Sequence, residues 1–245
     1  MLLLLPPSET KRDGGDPGTR LDLAALSFPT LTVPRRRAIA AVRALARNAS
    51  AMAGALKLGA TQSSEVARNR RLTTSPVMPA LDRFDGVLFD ALDAATLPPA
   101  ARAFAGEHLA IGSALFGLVG ALDPIPAYRL SHDSSLPGMP LGRLWREPVG
   151  AVIDGVDGLV VDLRSEAYAA LGPAPGALFV RVVAEDAEGR RRALNHFNKA
   201  GKGALVRRLL LAGIDHPDAG SLLAWAKDAG VALEPGAPGE LDLVV

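Results

Sequence analysis

The sequence contains no cysteine among its 245 residues. Disulfides, cysteine-ligated zinc and iron–sulfur clusters are therefore excluded. Peroxidase chemistry that starts from a thiolate is excluded as well, because no thiol is present to attack a peroxide.

Histidine is also scarce, and aromatic residues make up only 4% of the chain. The four histidines are His108, His132, His196 and His216. None of them pair at the spacing of a metal-binding motif. We therefore expect neither a histidine metal site nor a resident cofactor.

The sequence has no apolar run long enough to cross a membrane. The N-terminal segment Met1–Pro7 lacks the basic start, the apolar length and the cleavage site of a signal peptide. A buried first strand over Leu2–Leu5 explains this segment better. We expect a cytoplasmic protein that does not bind membranes, folded as a single domain over residues 1–245.

A large net charge is absent too, since 27 basic and 26 acidic side chains leave a net charge of +1. The charges are nevertheless segregated along the chain. Basic residues dominate Arg35–Arg71 and Arg181–Arg208, whereas acidic residues dominate Ala212–Val245. The potential at a surface depends on nearby charges, so a local basic groove is compatible with the near-neutral total.

The apolar periodicity predicts strands and helices without a regular βαβ alternation. Strands are predicted at Leu2–Leu5, Leu159–Leu163, Ala177–Glu185, Arg190–Phe197 and Leu241–Val245. Helices are predicted at Arg35–Asn48, Ala51–Leu58, Asp85–Leu92, Pro99–Leu122, Leu144–Asp154, Lys199–Leu211 and Ser221–Ala229. We therefore predict an α+β fold in which a mixed sheet is flanked by helices.

Turn and cap signals add detail to this prediction. Asp186–Gly189 reads as a turn that joins two strands into a hairpin. Ser221 is expected to cap the last helix and Gly230 to close it. Gly112 and Gly117, inside a predicted helix, indicate either a tight hairpin or close helix packing.

Five short polar segments stand at the ends of predicted apolar elements. They are Pro7–Arg12, Asp85–Phe89, Ala127–Leu130, Leu163–Tyr168 and Asn195–Gly203. Two of them follow predicted strands directly, and the last follows the predicted hairpin. Because groups at strand ends tend to meet in one crevice, we expect these segments to converge.

These segments, in this order, resemble the YaaA family of peroxide stress proteins along nearly the whole chain. The matching stretches are Leu2–Leu5 with Pro7–Lys11, Ser113–Gly117 with Asp123, Tyr128–Leu130, Leu144-Trp145, Leu163–Tyr168 and Lys199–Gly203. The resemblance implies a bacterial protein that limits damage by hydrogen peroxide and is connected with restraining free iron. It also implies an α+β fold with a helix-hairpin-helix element and a positively charged cleft that binds DNA.

The candidate DNA contacts are Lys11, Arg12, Tyr128, Arg129, Lys199 and Lys202. Lysine and arginine neutralise phosphates and release counterions, which gives salt-sensitive binding of low sequence specificity. Lys199 and Lys202 stand beside glycines at a predicted helix start, where free N–H groups attract anions. Tyr128 could stack on a base or lie in the core.

A second basic feature is the helix face formed by Arg36, Arg43 and Arg47. Such faces are common, and they are more often solvated surface than binding stripes.

The polar side chains of the same segments leave an enzyme as the alternative. Ser8 with Lys11 could act as nucleophile and base, or two of the carboxylates could hold a divalent metal. The residues concerned, which would form a polar cleft, are Ser8, Glu9, Ser165 and Glu166. If there is no catalysis, these four side chains orient the basic residues by hydrogen bonds. A catalytic role requires a geometry that a sequence does not show. A third hypothesis is that the protein handles iron directly. The scattered histidines and the absence of cysteine argue against it.

Overall fold

The structure is a computed structural model, and it describes residues 1–59, 62–185, 191–193 and 198–245. Its strands are β1 (Leu2–Leu5), β2 (Val77–Pro79), β3 (Leu109–Ser113), β4 (Gly117–Gly120), β5 (Pro124–Pro126), β6 (Val160–Asp162), β7 (Leu178–Glu185), β8 (Arg191–Ala193), β9 (Leu233–Pro235) and β10 (Glu240–Val244). Its α-helices are α1 (Thr32–Leu45), α2 (Ala49–Ala55), α3 (Ser63–Arg70), α4 (Ala80–Arg83), α5 (Val87–Leu92), α6 (Pro99–His108), α7 (Leu141–Asp154), α8 (Glu166–Ala169), α9 (Asn198–Ala212) and α10 (Ala219–Asp228).

The main sheet has the strand order β4-β3-β1-β6-β7-β10-β9, and β8 pairs with β7 outside this path. The pairs of β1 with β3 and β6, of β6 with β7, and of β7 with β10 are parallel. The pairs β3–β4, β7–β8 and β9–β10 are antiparallel. A mixed sheet with helices around it confirms the predicted α+β fold.

The first strand lies in the interior of this sheet, and all four residues of Leu2–Leu5 are buried. A strand that is covered on both faces loses the alternation of polar and apolar residues, and a run of leucines is the result. The register pairs Leu4 with Asp162 of β6. Because β1 and β6 are parallel, the segments that follow them leave the sheet at the same edge.

The predicted helix over Pro99–Leu122 was wrong beyond His108, where α6 ends. The following residues form the antiparallel hairpin β3–β4. At its turn Gly117 adopts φ +77°, and a Cβ there would lie 2.8 Å from the ring of Trp145. A short apolar strand cannot be distinguished from a buried helix by hydrophobicity alone, which explains the error.

The other predicted elements are confirmed with small shifts of their ends, except that the predicted strand Arg190–Phe197 is described only over Arg191–Ala193, and the rest of it lies outside the described residues. The hairpin partners β7 and β8 pair as expected, but the predicted turn Asp186–Gly189 lies outside the described residues. The cap of α10 is Asp218 and not Ser221, because the Asp218 carboxylate accepts the Ser221 N–H at 2.8 Å. Gly230 follows that helix with φ +65°, as expected for a closing glycine. The helix-hairpin-helix element stays a prediction.

The basic run from Arg35 begins with a residue that belongs to the core. Arg35 is completely buried, and its guanidinium donates to the carbonyls of Phe116 at 3.0 Å and Leu118 at 2.6 Å. It also donates to the carbonyl of Ser27 at 2.8 Å. These bonds join α1 to the β3–β4 hairpin, so this arginine adds no charge to the surface.

Candidate nucleic-acid interface

A cleft of about 550 Å³ opens at the edge of the sheet where β1 and β6 end. Its lining consists of residues 6–10 after β1, residues 85–89 around the start of α5, Ser131, His132, Leu163, Ser165, Tyr168, Asn198, Lys199 and Lys202. Four of the five predicted polar segments contribute to this lining, and the fifth, Ala127–Leu130, ends directly before Ser131. The expected convergence of these segments is therefore observed.

One wall of the cleft is the first turn of α9, and close contact with α5 holds it in place. Gly203 of α9 lies against α5 so tightly that a Cβ at this position would be 2.2 Å from the carbonyl oxygen of Leu88. Any larger residue would push the helices apart. The glycine therefore sets the distance between α5 and α9, and the first turn of α9 brings Asn198, Lys199 and Lys202 to the cleft.

Lys11 lies behind the cleft rather than in its lining. Its side chain is buried, and its Nζ donates to the carbonyl of Ser8 at 2.8 Å and of Glu9 at 3.1 Å. The same Nζ lies 4.2 Å from the centre of the Tyr128 ring. Burial, aided by the nearby charge of Arg129, lowers the pKa of Lys11 to about 7. Lys11 therefore fixes the loop that follows β1.

Tyr128 also belongs to the core, which decides between the two roles left open by the sequence. It is completely buried, and its hydroxyl lies 2.7 Å from the Ser113 Oγ. Burial raises the pKa of Tyr128. The Tyr128 ring therefore packs against the Lys11 side chain and is not exposed for stacking on a base.

The two candidate arginines each carry a carboxylate partner. Arg129 Nη2 lies 2.6 Å from Oε2 of Glu9, and the Ser131 hydroxyl is 3.5 Å from the other oxygen of that carboxylate. Arg12 lies 3.2 Å from Asp85 and 3.8 Å from Asp90. The positive field that these arginines offer to a ligand is therefore reduced in the free protein.

The serines and glutamates of the predicted polar cleft separate into two places. Ser8, Glu9 and Ser165 line the cleft, but Glu166 pairs with Arg181 at 3.1 Å and faces a different surface. The Ser8 hydroxyl accepts the N–H of Asp85 at 3.0 Å, while Lys11 binds the Ser8 carbonyl. These contacts do not form the nucleophile and base pair considered for Ser8 and Lys11.

The first turn of α9 supplies two lysines of different character. Lys199 is exposed at the cleft and makes no ion pair within the described part of the chain. Lys202 is only 4% exposed, and its Nζ donates to the carbonyl of Arg164 at 3.3 Å. Burial lowers the pKa of Lys202 to about 8, although the charge of Asp162 acts in the opposite direction. The preceding residues Asn195–Phe197 lie outside the described residues.

Several residues of the site were not singled out from the sequence. Arg164 is buried and binds both carboxylate oxygens of Asp162, at 2.9 and 2.7 Å, which fixes the loop after β6. His132 lines the cleft with its ring 5.3 Å from the Tyr168 ring. Burial raises the pKa of Tyr168 to about 12. The Asp-x-Arg pattern after an apolar strand was the available signal for the Asp162–Arg164 pair.

The basic face of α1 is separate from the cleft. Arg43 and Arg47 line a different hollow of about 330 Å³ together with Arg70. Within the described ranges, no cluster of three or more His, Asp or Glu side chains could hold a metal ion. In the same part of the chain, none of the helices has the length and apolar character needed to cross a membrane.

The model of the family described as peroxide stress protein YaaA matches residues 1–228 of this chain. The chain belongs to this family. It is 44% identical over 242 residues to a UPF0246 protein of Corynebacterium glutamicum, covering 96% of this chain and 95% of the relative. It is 39% identical over 244 residues to a UPF0246 protein of Streptomyces coelicolor, covering 97% and 94%. The YaaA resemblance that the motifs indicated is confirmed.

Proposed function

We propose that this member of the YaaA peroxide stress family binds DNA with low sequence specificity through the cleft. Lys199 carries the proposal, because it presents an exposed ammonium group, without an ion pair to any residue that the structure describes, at the start of a 15-residue helix. The N-terminus of a helix adds free N–H donors and positive potential to such a site. A backbone phosphate is the ligand that this combination favours, and it carries no sequence information.

The size of the cleft refines the proposal. A volume of about 550 Å³ suits a nucleotide rather than the width of a duplex. We propose that a phosphate and its sugar enter the cleft while the rest of the DNA lies on the surface around it. The protein would then limit iron-dependent oxidative damage because it occupies the DNA, and not because it binds iron.

Fluorescence anisotropy with a labelled duplex at low ionic strength tests this function. The wild-type protein should bind, and Lys199→Ala should bind several-fold more weakly, about 1 kcal/mol for one lost phosphate contact. Lys227→Ala is the matched control, because Lys227 is exposed on α10 and does not line the cleft. Absence of binding by the wild-type protein at low ionic strength would overturn the proposal.

A second candidate function is a nucleotide- or nucleic-acid-processing reaction at Glu9. The observation that favours it is the Glu9 carboxylate, which lines the cleft together with His132 and Tyr168. A carboxylate beside basic groups can act as a general base. Incubation of nucleotides and oligonucleotides with divalent metal ions should then give a product that Glu9→Gln fails to form, and no turnover under any condition would remove this candidate.

A further inference from the structure

Lys202 differs from the other lysines near the cleft in a way that points to covalent chemistry. Its side chain is desolvated, yet it belongs to the cleft lining, and among the described residues its Nζ makes a single long hydrogen bond, to the carbonyl of Arg164 at 3.3 Å. Lys11 is equally buried but is held by two carbonyls and lies outside the lining. Lys199 lines the cleft but is solvated. Of these three lysines, Lys202 is the one that is both buried and part of the cleft lining.

A desolvated lysine amine is the group that proteins use to attack a carbonyl carbon. The side chain lies above the ring of Phe179, with Nζ 5.2 Å from the ring centre, and the charges of Asp162, Arg181 and Glu166 lie close enough to act on it. Burial lowers the pKa of Lys202 to about 8, so about a tenth of its amine is neutral at pH 7. A neutral amine carries the lone pair that such an attack requires.

We propose that Lys202 forms an imine with the C1′ aldehyde of a phosphorylated deoxyribose, the sugar left in a DNA strand where a base has been lost. The amine of Lys202 indicates an aldehyde as its reaction partner. Lys199, which lies one helical turn earlier on the same wall of the cleft, indicates a phosphate on the same ligand. This inference rests on the proposed function for its phosphate contact. A free deoxyribose phosphate has the same chemistry as the site in DNA, and the experiment separates the two sources.

The reaction needs no oxidant or reductant. The Nζ lone pair forms a bond to C1′, the carbonyl π electrons move to oxygen, and a carbinolamine results. The oxygen then leaves as water with the two protons that the amine carried, and a C=N bond remains. His132 lines the same cleft and can exchange protons with the departing oxygen.

Reductive trapping of the wild-type protein tests the inference. The protein is incubated with cyanoborohydride and either an oligonucleotide duplex containing an abasic site or free deoxyribose 5-phosphate, and peptide mass spectrometry then locates the secondary amine. With the abasic duplex, Lys202 should carry about tenfold more adduct than exposed lysines such as Lys199 and Lys227, because its desolvated amine belongs to the lining of the cleft that receives the sugar. Mapping on the wild-type chain does not depend on the folding of a variant.

Matched variants sharpen the test. Lys202→Arg should lose the adduct, whereas Lys199→Arg should keep it because the positive charge is retained. An adduct on Lys202 with deoxyribose 5-phosphate, in a protein that does not bind DNA, would support the amine chemistry and overturn the DNA-binding function. DNA binding without an adduct on Lys202, or equal adducts on all exposed lysines, would overturn the inference and leave DNA binding intact.

Discussion

Arg129 and Glu9 stand 120 positions apart in the sequence, and their side chains meet with 2.6 Å between Nη2 and Oε2. The Arg129 side chain is 13% exposed and the Glu9 side chain 59% exposed, so the acid lies on the solvent side of the pair. A carboxylate and a phosphate bind a guanidinium in similar ways. We infer that Glu9 occupies a place that a DNA phosphate could take, and that it weakens DNA binding.

Replacement of Glu9 by glutamine should therefore raise the affinity for DNA. Loss of one negative charge near a phosphate corresponds to about 1 kcal/mol, or on the order of fivefold in the dissociation constant. Glu107→Gln is the control, because it changes the net charge equally at an exposed position outside the cleft. Unchanged or weaker DNA binding by Glu9→Gln in an anisotropy titration would show that the Glu9–Arg129 pair does not limit binding.

A methyl group at position 203 should loosen the wall of the cleft. Because a Cβ there would lie 2.2 Å from the Leu88 carbonyl oxygen, Gly203→Ala should lower the free energy of unfolding by about 1–3 kcal/mol. Gly54→Ala in α2 meets nothing within 4 Å, and it should be neutral or raise the free energy of unfolding by up to about 1 kcal/mol. Urea denaturation of both variants checks the prediction, which fails if they have equal stability.

The buried amine of Lys202 should make stability depend on pH. Below pH 8 the native state holds this lysine protonated and bears the cost of desolvating the charge. As the pH rises through the native pKa of about 8, the native state releases the proton, while the unfolded state keeps it up to about pH 10.5. The unfolded state then binds more protons, so the contribution of Lys202 to stability increases with pH in this window.

The comparison of wild type with Lys202→Met measures this contribution. Between roughly pH 8 and 9 the wild-type free energy of unfolding should rise by about 1 kcal/mol relative to the variant. The neighbouring Asp162, Arg181 and Glu166 affect the same titration and are present in both proteins. Parallel pH profiles for the two proteins in urea denaturation would mean that Lys202 keeps its ordinary pKa.

The sequence was sufficient to predict the fold class and most of the helices and strands. The main wrong prediction, the helix continued beyond His108, has a physical reason. Leu109–Ser113 and Gly117–Gly120 are short buried strands, whose apolar residues carry no period that separates them from the end of α6. The ring of Trp145, on a helix distant in the sequence, lies against Gly117 in the structure, and no local pattern indicates this contact.

The cleft could be predicted only in part. Polar segments after β1 and β6 meet because those strands are parallel, and this could be anticipated from their positions. The role of each side chain could not be predicted, since the sequence presents Lys11 as a surface ligand and leaves Tyr128 open between the surface and the core, whereas the two are buried together. Burial of a cation depends on tertiary contacts that no local pattern encodes.

The salt dependence of duplex binding tests most directly the claim that the first turn of α9 contacts DNA phosphates. The logarithm of the wild-type association constant should fall linearly with the logarithm of the salt concentration. Loss of one phosphate contact should make the slope of Lys199→Ala shallower by about 0.9. Lys227→Ala should keep the wild-type slope. Identical slopes for Lys199→Ala and the wild type would contradict the account.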